Sequence, residues 1–326
     1  IKRKIGTLAV HPIGLGCMNL SHAYGPAQQH DDAIAFLRTA IDMGYDFFDT
    51  ATIYGMGGNE KLIGEALKGR RGDFVLASKC VIGFKDGKRL LDASPQAIKG
   101  ACEASLERLQ TDVIDLYYMH RPDPKVPIEE SVGALADLVG QGKIRMIGLS
   151  EVSAETIRRA HSVHPISAIQ SEYSLMTRNP EIAVLDACRE LGISFVPFSP
   201  VGRGYLADEP LDPNGYKDGD LRRTFPRFTD PHFSANLGLL EKAKQHASDL
   251  GCTIAQLALA WTLARDEGVV PIPGTTNLKH LEDNFNAASI VLPAELLATL
   301  NDEFAPEAIS GPRYSEPAQA SVTTER

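Results

Sequence analysis

No apolar run in this 326-residue chain approaches the roughly 18 residues of a membrane-spanning helix. No signal-peptide pattern is present either. The five cysteines, Cys17, Cys80, Cys102, Cys188 and Cys252, are scattered and odd in number. None are spaced as a metal knuckle, so they read as small core residues in a reducing compartment, and the expected location is cytoplasmic. There is no G-x-S-x-G elbow for hydrolase chemistry and no G-x-x-x-x-G-K phosphate loop. Gly14-Leu15-Gly16 runs into Cys17-Met18-Asn19, and Gly202-Arg203-Gly204 likewise lacks a third glycine. Neither is a Rossmann fingerprint, and a lone G-x-G reads first as a tight turn. His161 and His164 sit at a helix end without further ligands nearby, so no metal site is expected. Basic residues are outnumbered, 33 against 42 acids, for a net charge of −9. That balance argues against nucleic acid as a partner but leaves room for a local basic pocket.

What remains is an ordinary globular composition with a strict rhythm. Strand-like runs fall near 13–16, 45–49, 74–78, 113–119, 144–149, 166–170, 193–197 and 269–271. Helical periodicity lies between and after them, near 31–43, 59–68, 95–109, 128–140, 154–163, 180–191, 253–265 and 277–286. Eight such units predict an α/β fold, a closed (β/α)8 TIM barrel spanning about 12–290 within one domain of 1–326. Residues 1–10, with Gly6-Thr7 at the centre, predict an N-terminal β-hairpin. Ser94-Pro95 and Asn179-Pro180 each predict an N-cap before a first-turn proline. Gly44, Gly192 and Gly251 follow helices as C-cap signals. Residues 205–232, with Pro210, Pro213, Asn214, Gly215 and Gly219, predict a long loop of lid or binding type. Extra C-terminal helices are expected at 233–250 and 293–303, and 304–326 as an arm over the barrel or a disordered tail.

Four polar residues stand out against this rhythm. Asp49, Lys79 and His120 each close a strand-like run, and Tyr54 follows Asp49 by five residues. Strand C-termini of a parallel barrel all open on one face, where active sites form. Singly, Asp49 reads as a turn residue, Lys79 as a surface lysine, His120 as a loop histidine and Tyr54 as a rim aromatic. Jointly they suit reduction of a carbonyl. Tyr54 would be the proton donor, with Lys79 lowering its pKa and Asp49 holding Lys79. Neutral His120 would orient the carbonyl oxygen. No side chain supplies hydride, so a nicotinamide or flavin must.

With these residues in view, the chain resembles the aldo-keto reductases. Phe48-Asp49-Thr50-Ala51 with Tyr54-Gly55, Ser78-Lys79, and Asp115-Leu116-Tyr117-Tyr118-Met119-His120 match that family's catalytic stretches in order and spacing. Gly142-Lys143-Ile144-Arg145 and Gly148-Leu149-Ser150 match the start and end of its fifth strand. Gln170-Ser171-Glu172-Tyr173-Ser174 and Pro273-Gly274-Thr275-Thr276 resemble its bacterial and plant branch. The resemblance implies an enzyme of alcohol dehydrogenase type that reduces aldehydes or ketones with NADPH, or with NADH, with Asp49, Tyr54, Lys79 and His120 catalytic. Ser150 and Gln170 would bond the carboxamide, and Phe198 would stack on the nicotinamide. Cys17, Met18 and Asp49 would approach that end. Ser199, Val201, Gly202 and Arg203 would cradle the pyrophosphate. Gly274, Thr275, Thr276, Lys279, His280, Asp283 and Asn284 would hold the adenosine end. Many relatives have Arg where this chain has His280, so Lys279 is expected to share the 2′-phosphate contact.

The substrate pocket is expected at Met18, Tyr24, Tyr54, Phe84, His120 and Arg121. Its aromatic and apolar character suits a small-molecule carbonyl on a sizeable apolar body. Neither membrane nor nucleic acid is expected as a partner, and the chain is expected as a monomer or weak homo-oligomer. The alternative is a cofactor-sensing regulatory subunit of a larger assembly, as in channel β-subunit relatives.

Overall fold

The computed structural model describes residues 2–85, 88–208 and 211–325. Ile1 of the expected hairpin, Pro210 of the expected loop and Arg326 of the tail lie outside them. The hairpin forms from β1 (Arg3–Ile5) and β2 (Leu8–Val10), paired antiparallel. The barrel begins with β3 (Leu15–Gly16) and β4 (Phe47–Asp49). It continues with β5 (Val75–Cys80), and a second hairpin, β6 (Ile82–Lys85) with β7 (Lys88–Leu91), branches off there. Next come β8 (Ile114–Met119), β9 (Ile144–Ser150), β10 (Ile166–Glu172) and β11 (Ser194–Phe198). Barrel neighbours pair in parallel in the order β11-β10-β9-β8-β5-β4-β3.

The expected eighth strand is reduced to a bridge between Phe195 and Val269. Pro271 and Pro273 have no N–H and cannot sustain a ladder. Their carbonyls still close the barrel, accepting from Gly14 N at 3.0 Å and Gly16 N at 3.1 Å. On the other side Val270 N and Ile272 N donate to Phe195 O and Pro197 O. The approach is tight: a Cβ at Gly16 would lie 2.8 Å from Ile272 O, and one at Gly274 2.9 Å from Gly16 O. Gly14-Leu15-Gly16 is therefore a seam and not the tight turn expected.

The barrel interior is packed by Phe47, Val75, Leu116, Tyr118, Met146 and Val196, with Ile5 and Val10 of the N-terminal hairpin in the same cluster. The hairpin thus plugs the end where strands begin and leaves the other end open. Helices α1 (His30–Met43), α2 (Gly58–Ala66), α3 (Pro95–Leu109), α4 (Ile128–Gly140), α5 (Ala154–Val163) and α6 (Val184–Leu191) follow the strands. In α1 the buried residues Ala33, Phe36, Leu37, Ala40 and Ile41 recur at helical spacing, and Gly44 ends it at φ 112°. Ser94 caps α3 as expected, accepting from Ala97 N. Asn179 does not cap α6. It lies in a short 3-10 turn (Asn179–Glu181), and its amide donates to Glu325 O at 3.1 Å.

The chain then adds α7 (His232–Leu250), α8 (Ile254–Leu263), α9 (Leu278–Asn286), α10 (Ala294–Glu303) and the short α11 (Glu316–Gln319). None of the described helices is long and apolar enough to cross a membrane. The tail is an ordered arm. Arg313 makes two 2.7 Å bonds to the Glu151 carboxylate, and Thr324 adds a third at 2.7 Å. Glu172 lies beside this pair and takes Arg203 at 2.8 Å. All five side chains are buried at the open end of the barrel.

Candidate active site

Asp49 ends β4, Lys79 lies one residue from the end of β5, and His120 directly follows β8. Parallel pairing aligns these ends on one face. The turn Tyr54–Gly57 runs through left-handed residues at Gly55 (φ 56°) and Met56 (φ 53°) directly after the tyrosine. This tight reversal returns the Tyr54 ring over the strand ends, where it meets His120 edge-on with centroids 5.9 Å apart.

Lys79 is wholly buried behind Tyr54 and Asp49. Its ammonium binds Asp49 Oδ1 in a very short contact, donates to Thr50 O at 2.8 Å and reaches the Tyr54 hydroxyl at 3.4 Å. The other oxygen of Asp49 accepts from Gln170 Nε2 at 2.8 Å. Burial works against the Lys79 charge, but Asp49 and Tyr54 outweigh it and raise the lysine pKa, so it remains an ammonium. Burial raises the Asp49 carboxyl, with Lys79 and Gln170 opposing. The Tyr54 phenol corrects an expectation. Its pKa is raised, because burial outweighs the lowering by Lys79.

A single cavity of about 690 Å³ opens above these residues. Asp49, Tyr54, His120, Arg121, Met18 and Gln170 form its inner end. Phe198, Ser199, Val201 and Arg203 follow along one side. Gly274, Thr275, Thr276, His280, Asp283 and Asn284 line the far end, at the start of α9. Tyr24 lines the rim. These are all residues expected there.

Besides Lys79, which sits behind Tyr54, five expected residues do not line it. Cys17 is buried, its thiol turned to Leu15 O. Ser150 is buried beneath Arg121 and accepts from its Nη1 at 3.1 Å. Gly202 is buried in the left-handed conformation, φ 58°, which carries the chain under the loop. Lys279 is 73% exposed and turned to Asp283, its helical neighbour at i+4. Phe84 is 51% exposed on the β6–β7 hairpin, which carries it off the barrel mouth. Arg203 lines the wall, but its donors are committed: to Glu172, to the Tyr24 hydroxyl at 3.1 Å and to the Tyr314 hydroxyl at 3.2 Å.

The sequence reading missed Asn19, Thr253 and the tail residues Tyr314, Ala318 and Ser321, all of which line the cavity; Asp208, which lines it too, belongs to the 205–232 loop expected as a binding element. The long loop supplies Leu211, Leu221, Arg222 and Phe225. Two short 3-10 turns, Leu221–Thr224 and Pro226–Phe228, interrupt it. Leu221 N donates to Ala23 O at 2.8 Å, tying the loop across the rim. The Arg222 guanidinium lies between the Tyr24 ring (5.1 Å) and the Tyr216 ring (4.9 Å). Of the three loop arginines, Arg223 pairs with Asp218 at the surface. Arg227 donates to Gly311 O and Thr177 Oγ1, and burial lowers its pKa to about 10. Among the described residues no cluster is suited to hold a metal ion.

Residues 12–303 match the aldo/keto reductase family. A probable aldo-keto reductase 1 from Glycine max is 43% identical over 317 residues, covering 95% of this chain and 91% of that protein. Among solved structures, a glycerol dehydrogenase from Gluconobacter oxydans superposes with a TM-score of 0.85 at 25% identity, over 94% of this chain and 96% of its own. An aldo/keto reductase from Klebsiella pneumoniae, in complex with NADP and acetate, gives a TM-score of 0.75 at 30% identity over 96% and 98%. The extent of these matches and the parallel barrel lead to one assignment: the chain belongs to the aldo/keto reductase family of oxidoreductases.

Proposed function

We propose that the protein reduces aldehydes or ketones to alcohols with NADPH, with Tyr54 as the proton donor. The observation that carries this reading is the Lys79 ammonium 3.4 Å from the Tyr54 hydroxyl at the inner end of the cavity. The cavity fits an extended cofactor. It runs from the catalytic residues to the start of α9, and its volume lies in the range of small-molecule sites. Glycine at 274 keeps the wall close to the seam, and Thr275, Thr276 and His280 present polar groups at that end. Phe198 offers a ring face near the inner end.

When bound, a dihydronicotinamide supplies the hydride that no side chain can. The remaining work falls to the chain. The raised pKa keeps Tyr54 protonated at neutral pH, which is the state an acid needs. A carbonyl oxygen placed between Tyr54 and His120 receives the proton from the phenol. The phenolate left behind faces the Lys79 ammonium, whose charge stabilises it in a site shielded from water. Asp49, held by Gln170, keeps that ammonium aimed. His120, edge-on to Tyr54, directs the carbonyl.

The purified protein should oxidise NADPH, followed by absorbance, in the presence of 4-nitrobenzaldehyde. No oxidation across a panel of reactive aldehydes and ketones would refute the reading.

A further inference from the structure

We infer that Arg121 makes the inner end of the cavity a receptor for a carboxylate, so that the substrate class is an aldehyde or ketone bearing a carboxylate within a few bonds of its carbonyl. This rests on the carbonyl-reductase reading above. The observation is a guanidinium in the cavity wall that no carboxylate of the described residues touches. Glu151 and Glu172 are matched by Arg313 and Arg203, Asp49 by Lys79, and Arg222 by Asp220. Arg121 has no ion pair among the described residues, although it lines the same cavity as Tyr54 and His120.

Its hydrogen bonds leave half of its fork free. Nη1 donates to His120 O at 2.7 Å and to Ser150 Oγ at 3.1 Å, which fixes the guanidinium in place. Nε is shielded from solvent and has no hydrogen-bond partner. Glu151 feels the Arg121 charge without touching it, and that carboxylate is already saturated. It takes both Arg313 nitrogens, Thr324 Oγ1 and Glu172 N. Nη2 makes no hydrogen bond to a described residue and, unlike Nε, is not shielded, so it is the donor a ligand anion in the cavity reaches, with a charge-assisted bond as the gain. A planar guanidinium edge matches a carboxylate, and one excess positive charge matches a monoanion better than a dianionic phosphate. Asp208 is the other cavity-wall charge without an ion pair among the described residues, and it accepts from Ile254 N.

The reaction itself is unchanged. A C–H bond forms at the carbonyl carbon as the dihydronicotinamide C–H breaks, and the Tyr54 proton moves to oxygen. The carboxylate takes no part and serves to hold the carbonyl in register.

The test compares kcat/KM for phenylglyoxylate with that for its methyl ester, in the wild type, Arg121→Met and Arg121→Lys. Taking the ratio within each protein cancels the different reactivity of acid and ester and any general loss in a variant. The acid-to-ester ratio should fall about 10- to 100-fold in Arg121→Met, the scale of a hydrogen bond to an ionised group, and less in Arg121→Lys. An unchanged ratio, whatever the overall rate of the variant, overturns the role of Arg121 and leaves carbonyl reduction standing. No turnover of either probe or of 4-nitrobenzaldehyde by the wild type removes both. Should Arg121→Met fail to fold, inhibition of wild-type ester reduction decides. Benzoate should inhibit at least about tenfold more tightly than benzamide, and equal inhibition refutes the proposal.

Discussion

Replacing Arg313 with methionine would leave a carboxylate without its cation in the floor of the open barrel end. Glu151 is fully buried, directly after β9, in a left-handed conformation (φ 56°). Arg313 supplies two of its four bonds, each 2.7 Å, and a further 3.5 Å contact to Glu172. Breaking one side of a buried pair typically costs about 3–5 kcal/mol, because the remaining charge stays desolvated. The retained bonds from Thr324 and Glu172 N place the expected loss toward the lower end of that range. In the wild type, burial raises the Glu151 carboxyl, but Arg313 first, then the Arg121 charge and the Glu172 N–H, together more than reverse this, so the net pKa is lowered. A depressed carboxyl contributes stability above its unfolded pKa of about 4.3, and that stability fades as pH falls through the folded value. The deficit of Arg313→Met is therefore greatest at neutral pH and shrinks in acid. Urea denaturation followed by circular dichroism at pH 7 and pH 4 measures both. The double variant Arg313→Met with Glu151→Gln should recover part of the loss, since the stranded charge is gone. A deficit below about 1 kcal/mol at pH 7, or one that grows in acid, would refute the reasoning.

Lys79→Met should abolish turnover and also destabilise by about 3–5 kcal/mol, since Asp49 is then a buried, unmatched charge; denaturant titration beside the activity assay checks this. His280→Ala should raise KM for NADPH, whereas Lys279→Ala should leave it nearly unchanged, because only the histidine lines the cavity; steady-state kinetics separates them. In a pH titration of phenolate absorbance, the signal lost in Tyr54→Phe should lie above the ordinary tyrosine value of about 10, since burial raises that phenol.

The strand ends were legible because they are local. A polar residue closing an apolar run marks the open face of a parallel barrel wherever it occurs, as Asp49, Lys79 and His120 do. Helix positions were legible for the same reason, as the buried stripe of α1 illustrates. The eighth strand was read for its apolar run, while Pro271 and Pro273 leave the β3 side bridged through their carbonyls alone. The β6–β7 hairpin carried a signal that was passed over, the Asp86-Gly87 dipeptide between two strand-like runs, and Phe84 was misplaced in consequence. The tail was opaque for another reason. Arg313 finds Glu151 across 162 positions, and no local pattern announces that pairing or the cavity wall that Tyr314 builds. Likewise the sign of the Tyr54 shift depends on burial, which a neighbouring lysine in the sequence does not reveal.

The central claim is that the Tyr54 hydroxyl delivers the proton. Single-turnover reduction of 4-nitrobenzaldehyde by Tyr54→Phe, with NADPH affinity measured separately by calorimetry, tests it most directly. The account predicts a rate lower by about 10²- to 10⁴-fold with cofactor affinity retained. A variant that reduces the aldehyde at the wild-type rate would contradict it.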